Sequence, residues 1–444
     1  MSAHDEDHVI TRDEVISGTQ SPVARWVKMS CAILAIVGTL AFIAGAFMGV
    51  DRAWQAVHFN WLFFSTVSSA GVTMVAVQRI STARWSRPIV RFMEGYVAFL
   101  PVAFIILCLS LFFGRDHIFP WTQHPLMIEE KRQYLNIPFF ITRDLVMFGI
   151  QTILSIWYIY TSVRLDVGIV PEHGSAWAKG IRERMRRDFG DERRELHSTH
   201  SLQGKLAVFM VFAFALFWIV MSWDLSMSLD PHFQSTLYGY WFFMGAWVAA
   251  IASWTLITMA WRGHLGRQDM ITDVHFHDLG KLCFAFTAFW GYLTFGQYLV
   301  IWYGNLGEET HWARLRLIAP WSWVTVAVVF LMFIFPFFGL LSRAAKVYLP
   351  TMAFFASCLV LGLYLHRYDE IYPSIYGVRP DGTLPFGLWE IAITAGFLGI
   401  WGLCYIGFMD AFPRMRVLLM TSPYRDEVQI PVNAKTMDPL PAHE

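Results

Sequence analysis

The stretch VHFHDLGKLCFAFTAFWGYLTFGQYLVIWYGNLGEET, residues 274–310, decides the fold class. Between Leu279 and Tyr303 it is mostly apolar. At about 1.5 Å per residue, a helix of this length crosses a hydrocarbon core of roughly 30 Å with some tilt. A barrel strand would alternate apolar and polar side chains, so the run predicts a membrane helix. The helix opens on His277, Asp278 and Lys281. The near i,i+4 spacing of His277 and Lys281 puts them on one face, with Asp278 at its margin. Further along, Thr287, Thr294, Gln297 and Tyr298 fall on the opposite side, so the polar track changes faces midway. Headgroup anchoring accounts for a Lys or a His at a helix end, but three ionisable groups together near the hydrocarbon edge exceed that need.

The rest of the chain repeats the pattern. Of its 444 residues, 56% are hydrophobic and only 15% charged, which excludes the soluble globular class. Apolar runs near residues 27–50, 54–78, 92–114, 137–162, 205–229, 235–261, 279–303, 317–341, 347–366 and 387–411 predict an all-α polytopic protein of ten membrane helices. Helix order allows two four-helix bundles, helices 2–5 and 6–9, flanked by helices 1 and 10. Residues 1–25 and 412–444 are polar tails around the membrane domain, 26–411. The first run has no basic leader or cleavage site before it and is expected to be retained. Lys and Arg concentrate in the tails and in the loops after helices 2, 4, 6 and 8, which predicts a multi-pass protein with both termini cytoplasmic. The largest such loop, 165–204, carries a basic helix suited to the membrane surface or to a soluble partner. On the opposite, periplasmic side, residues 116–136 suit packing against another subunit, and residues 367–385 suit a structured surface cap. Zero formal net charge gives no sign of a nucleic-acid partner, and the five cysteines lack any paired spacing.

Charged groups in hydrocarbon cost about 2.5–3.5 kcal/mol each on insertion scales and need a partner, a wet cavity or a task. Three clusters qualify. Arg143 and Asp144 in helix 4, Asp224 in helix 5 and His58 in helix 2 lie toward the periplasmic end, with Glu94 in helix 3 toward the cytoplasmic one. Depth predicts that Arg143 pairs with Asp224 or Asp144. The second cluster is His277, Asp278 and Lys281; the third is Gln297, Tyr303, Tyr364 and His366. The second and third suit two proton half-paths separated by the middle of helix 7, because a continuous wire would short the membrane. Glu390 and Asp410, near the two faces, read as solvated or subunit-facing. The sequence lacks bis-histidine spacing, nucleotide-binding glycine motifs and any zinc or iron-sulfur ligand set, so the chain is expected to bind no metal of its own.

Two stretches carry a resemblance: MSLDPHFQSTLYGYWFF, residues 227–243, and HDLGKLCFAFTAFWGYLTFGQYLVIWYGNLGEE, residues 277–309. They resemble the ActF-type integral membrane subunits of bacterial alternative complex III, a quinol:cytochrome c oxidoreductase, within the wider NrfD/polysulfide reductase membrane-subunit family. The likeness spans essentially the whole transmembrane region. It implies the two-bundle fold, the bacterial inner membrane, no cofactor held by this chain, and a role in anchoring redox subunits and conducting protons. It leaves open a contact with menaquinone or ubiquinone. The implied partners are a sister NrfD-like membrane subunit, an iron-sulfur/molybdopterin-like subunit with iron-sulfur clusters and c-type cytochrome subunits with their haems, with room for a terminal oxidase. The residues it carries over are Asp230 and His232 in the SLDPH turn, and His277, Asp278, Lys281, Gln297 and Tyr303. Family members often have Glu where this chain has Asp230, which shortens the acid by one methylene. The alternatives are a quinone-reactive anchor of a polysulfide reductase-type molybdopterin oxidoreductase and a stand-alone secondary transporter with Asp224 and Lys281 in its path.

Overall fold

In the computed structural model, which describes residues 11–17, 19, 21–123 and 129–428, ten helices are long and apolar enough to cross a membrane. They are α1 (Arg25–Phe47), α2 (Asp51–Ile80), α3 (Val90–Ile118), α4 (Ile137–Ile169), α5 (Glu192–Leu229), α6 (Tyr238–Leu265), α7 (Asp273–Gly304), α8 (Trp321–Gly339), α9 (Leu349–Tyr376) and α10 (Leu388–Ala411). The chain is a multi-pass all-helical membrane protein. Helices are the solution because a lone apolar segment satisfies every backbone group internally in no other way. For orientation, the side where α1 begins and α10 ends is the tail face, and the other is the far face.

In lipid, helices are held together by close packing and polar contacts, since apolar surface gains little by leaving lipid tails. The α1–α10 pair uses small residues. A Cβ at Gly38 would come within 2.2 Å of the Gly396 Cα, and one at Gly399 within 2.4 Å of the Ala35 backbone nitrogen, so only glycine permits this crossing. Helix α2 is almost wholly buried and packs against α1, α3, α4, α5, α6, α9 and α10. Its many Ser and Thr residues remain tolerable there because Ser65, Thr66 and Thr73 return their hydroxyls to backbone carbonyls one turn back. α4 packs on α5 and α3, α6 on α9, α7 and α5, and α8 on α9. Both α3 and α8 contain one widened turn with i→i+5 bonding, at Ser110–Gly114 and Phe330–Ile334.

Three expectations are corrected. Residues 367–376 are not loop: α9 continues to Tyr376 and buries Arg367, Asp369 and Glu370. Arg367 pairs with Glu370 along the helix and Asp369 accepts from the Thr325 hydroxyl of α8 at 3.2 Å, which lets α9 run on past the apolar segment. Glu390 and Asp410 are buried, not solvated. Arg52 grips Glu390 with two hydrogen bonds, at 3.0 and 2.7 Å, and Asp410 takes Lys28 at 2.5 Å and Arg414 at 3.0 Å. The basic loop is only partly a free surface, because Arg182 in its short helix Lys179–Arg186 is buried and donates to the carbonyls of Pro171, Ser175 and Ala411. Of the segment 116–136, residues 124–128 lie outside the described residues. Lys131 ties the remainder to the SLDPH turn through the Pro231 and Phe233 carbonyls, at 2.5 and 3.2 Å.

Candidate functional site: a buried polar ladder on α4

Along α4, Asp144, Gln151, Ser155, Tyr158, Ser162 and Asp166 are all buried. Steps of seven, four, three, four and four residues keep them on one face. Twenty-two residues at 1.5 Å give the ladder a length of about 33 Å, comparable to the hydrocarbon core. α5, α3 and α2 pack against α4.

At the far end, Arg143 donates Nε to Asp224 Oδ2 and Nη2 to Oδ1, both at 2.7 Å, while its guanidinium lies 3.9 Å from the Tyr134 ring centre. Asp144 is fully buried beside this pair, within interaction range of both the Asp224 carboxylate and the Arg143 guanidinium. One guanidinium thus faces two carboxylates. His58 closes the same end, its Nε2 2.7 Å from the Leu225 carbonyl.

In the middle, Gln151 has neither amide atom hydrogen-bonded, and the hydroxyls of Thr152 and Ser155 likewise lack partners among the described residues. Buried polar groups are normally satisfied by protein or by water, so three in a row along one helix mark a hydratable strip. Phe148 separates this strip from Asp144. Its ring packs on Trp61, Trp218 and Phe104, with centroids 5.2, 6.0 and 6.5 Å away.

At the tail end the ladder meets a closed ion network. Ser162 donates to Glu94 at 2.8 Å, Arg91 bridges Glu94 and Asp166, and Asp166 accepts from the Leu418 amide at 2.9 Å. Arg416 donates Nε to the same Glu94 at 2.9 Å. Two carboxylates here meet two guanidiniums, an even balance that the far end lacks.

The other anticipated residues disperse. His366 is buried with Nδ1 3.3 Å from Glu370, its ring edge-on to Trp241 at 4.4 Å and Trp290 at 5.5 Å. Tyr364 instead bonds Thr394 at 2.7 Å, Gln297 accepts from Ser235 at 2.9 Å, and Tyr303 is 85% exposed. His277, Asp278 and Lys281 stay on the tail side at the outer edge of α7, with Lys281 2.6 Å from Asp278. Asp230 caps its own turn by accepting from the His232 amide at 3.3 Å.

Residues that sequence reasoning passed over form a polar centre around His366 and Glu370. Arg367 donates to both oxygens of Glu370, at 2.8 and 2.6 Å, and stacks over Phe242. Arg316 donates to the Glu370 carbonyl at 2.8 Å and lies 3.7 Å over Trp312. The i,i+3 and i,i+4 spacing of Arg367 and His366 from Glu370 was a usable signal that α9 continues. No model of a known protein family matches the chain, and no curated protein matches it.

Proposed function

We propose that this chain is an integral membrane subunit of a quinol:cytochrome c oxidoreductase of the alternative complex III type, anchoring the redox subunits and passing protons in two half-paths. The observation that carries the proton reading is the α4 ladder, in which carboxylates stand at both ends and partnerless polar side chains fill the middle. In this scheme the tail face is cytoplasmic. Protons enter past Glu94 and Asp166, move along water held by Tyr158, Ser155 and Gln151, and cross the Phe148 layer only when that ring yields. Asp144 and Asp224 share one guanidinium, so charge balance in a dry site leaves room for one transferable proton on the pair. The aromatic layer serves the coupling, because an unbroken chain of water would dissipate the membrane potential, about 2.3 kcal/mol per charge per 100 mV. The motif resemblance at residues 227–243 and 277–309 supports the assignment to that complex.

The test is Asp144→Asn in the native assembly, reconstituted in liposomes with quinol and an electron acceptor. The expected result is retained assembly and quinol oxidation with fewer protons moved per electron. Unchanged stoichiometry overturns the proton reading, and purification without c-type haem or quinol oxidation overturns the complex.

A further inference from the structure

In the HDLGK sequence near the start of α7, Leu279 and Gly280 face the helix pack while Lys281 points away from it. Lys281 is 55% exposed, and its one carboxylate partner among the described residues is Asp278. Next to it, Gly280 leaves room for Lys346, whose Cγ a Cβ at that position would meet at 2.7 Å. Lys346 belongs to the short helix Arg343–Val347 between α8 and α9 and is buried. Its ammonium makes one long hydrogen bond, 3.4 Å to the Leu341 carbonyl, and lies 5.4 Å from the Phe284 ring centre. No carboxylate pairs with Lys346 or with the exposed Arg343 among the described residues. Burial, and after it Lys281, pushes the Lys346 ammonium below its ordinary range. His277 stands within electrostatic reach of Lys281, Arg343 and Lys346.

Three cationic side chains and one carboxylate therefore meet near the tail-side end of α7. A part-buried ammonium without a counter-charge carries a desolvation cost that an incoming anion offsets. Directly toward the membrane interior the surface turns aromatic: Phe284 stacks on Phe337 at 5.2 Å, and Phe338 is exposed beside them. Cations over an exposed apolar ramp match a molecule with a negative head and long apolar chains.

We propose that Lys281, Arg343 and Lys346 bind the phosphate of an anionic phospholipid, whose acyl chains run over Phe284, Phe337 and Phe338. The surplus of two positive charges selects a net-negative headgroup, because a zwitterionic one would bring its own ammonium against Arg343. This site is separate from the α4 ladder and does not rest on the proton reading.

The experiment uses the full chain, purified and stripped of lipid in detergent, and titrated with phosphatidylglycerol, phosphatidylethanolamine or inorganic phosphate. Thermal midpoint and native mass spectrometry of retained lipid are the readouts. Phosphatidylglycerol is expected to raise the midpoint well above the effect of phosphatidylethanolamine, with apparent affinity falling about fivefold for each cation removed in Arg343→Gln and Lys346→Met. Lys346→Arg should restore it. An equal response to the two lipids, or a phosphatidylglycerol response unchanged in the double variant, overturns the proposal. So does inorganic phosphate reproducing the full shift, which would make the ligand a free anion. If Lys346→Met fails to fold, Arg343→Gln alone decides the matter, since it alters an exposed side chain; no loss of affinity there also overturns the site.

Discussion

Arg416, five residues beyond the last membrane helix, donates its Nε to Glu94 of α3 at 2.9 Å, so the C-terminal segment supplies half the positive charge of a network inside the membrane domain. The residues that directly follow α10 are thereby part of the fold. Leu418 strengthens the attachment: its amide binds Asp166, and its side chain packs with Leu165 and Leu196.

Arg416→Gln leaves Glu94 and Asp166 with Arg91 as their one remaining guanidinium. Removing one partner of a buried pair costs roughly 3–5 kcal/mol, mostly from the charge left behind. The variant should melt well below the wild type in detergent, and Glu94→Gln in the same chain should recover part of the loss. A double variant no better than the single one would mean that Arg416 acts through packing.

Tyr158→Phe and Gln151→Leu separate stability from transport. Gln151→Leu replaces an amide without a partner among the described residues, and Tyr158→Phe keeps the ring and removes one hydroxyl, changes close to neutral for stability. The thermal midpoint should hold or rise while proton transfer in liposomes slows. Equal proton transfer in both variants and the wild type would remove the α4 ladder from the path.

Gly396→Leu should part α1 from α10. A Cβ at Gly396 already falls 2.8 Å from the Gly38 Cα, and the larger side chain has nowhere to turn, for a cost of about 1–3 kcal/mol or more. Gly407→Ala on the same helix, where a Cβ meets nothing within 4 Å, is the control and should leave the midpoint unmoved.

His173 predicts an acid limb of stability at the tail face. Burial, and then Arg414 and Arg182, push its imidazole down from 6.5 to about 4. The folded protein therefore keeps it neutral where the unfolded chain already binds a proton. Its contribution is complete above about pH 6.5 and is lost as pH falls toward 4. Between pH 7 and 5 the wild-type midpoint should drop further than that of His173→Gln; parallel curves would show that His173 does not titrate in this window.

Much of the architecture could be read before any coordinates. The ten apolar runs became ten helices, and depth alone nominated Arg143 and Asp224 as partners, which they are. The α4 ladder was only half visible. Asp144 stood out by its cost, whereas Gln151, Ser155 and Tyr158 did not, because such groups usually find a backbone carbonyl and carry no signal singly. Arg367 and Glu370 were assigned to a loop, since hydropathy falls where they begin although their mutual spacing allows the helix to continue.

Length and apolarity by themselves determined that the described residues are helical, with ten helices long and apolar enough to cross a membrane, because backbone hydrogen bonding in lipid is settled within each segment. Which charge meets which was decided by tertiary structure alone. Lys281 faces outward while Thr287, two turns on, is buried, and Arg416 returns from beyond α10 to Glu94. Such pairings depend on the rotation and neighbours of each helix, and those follow from the packing of all ten together.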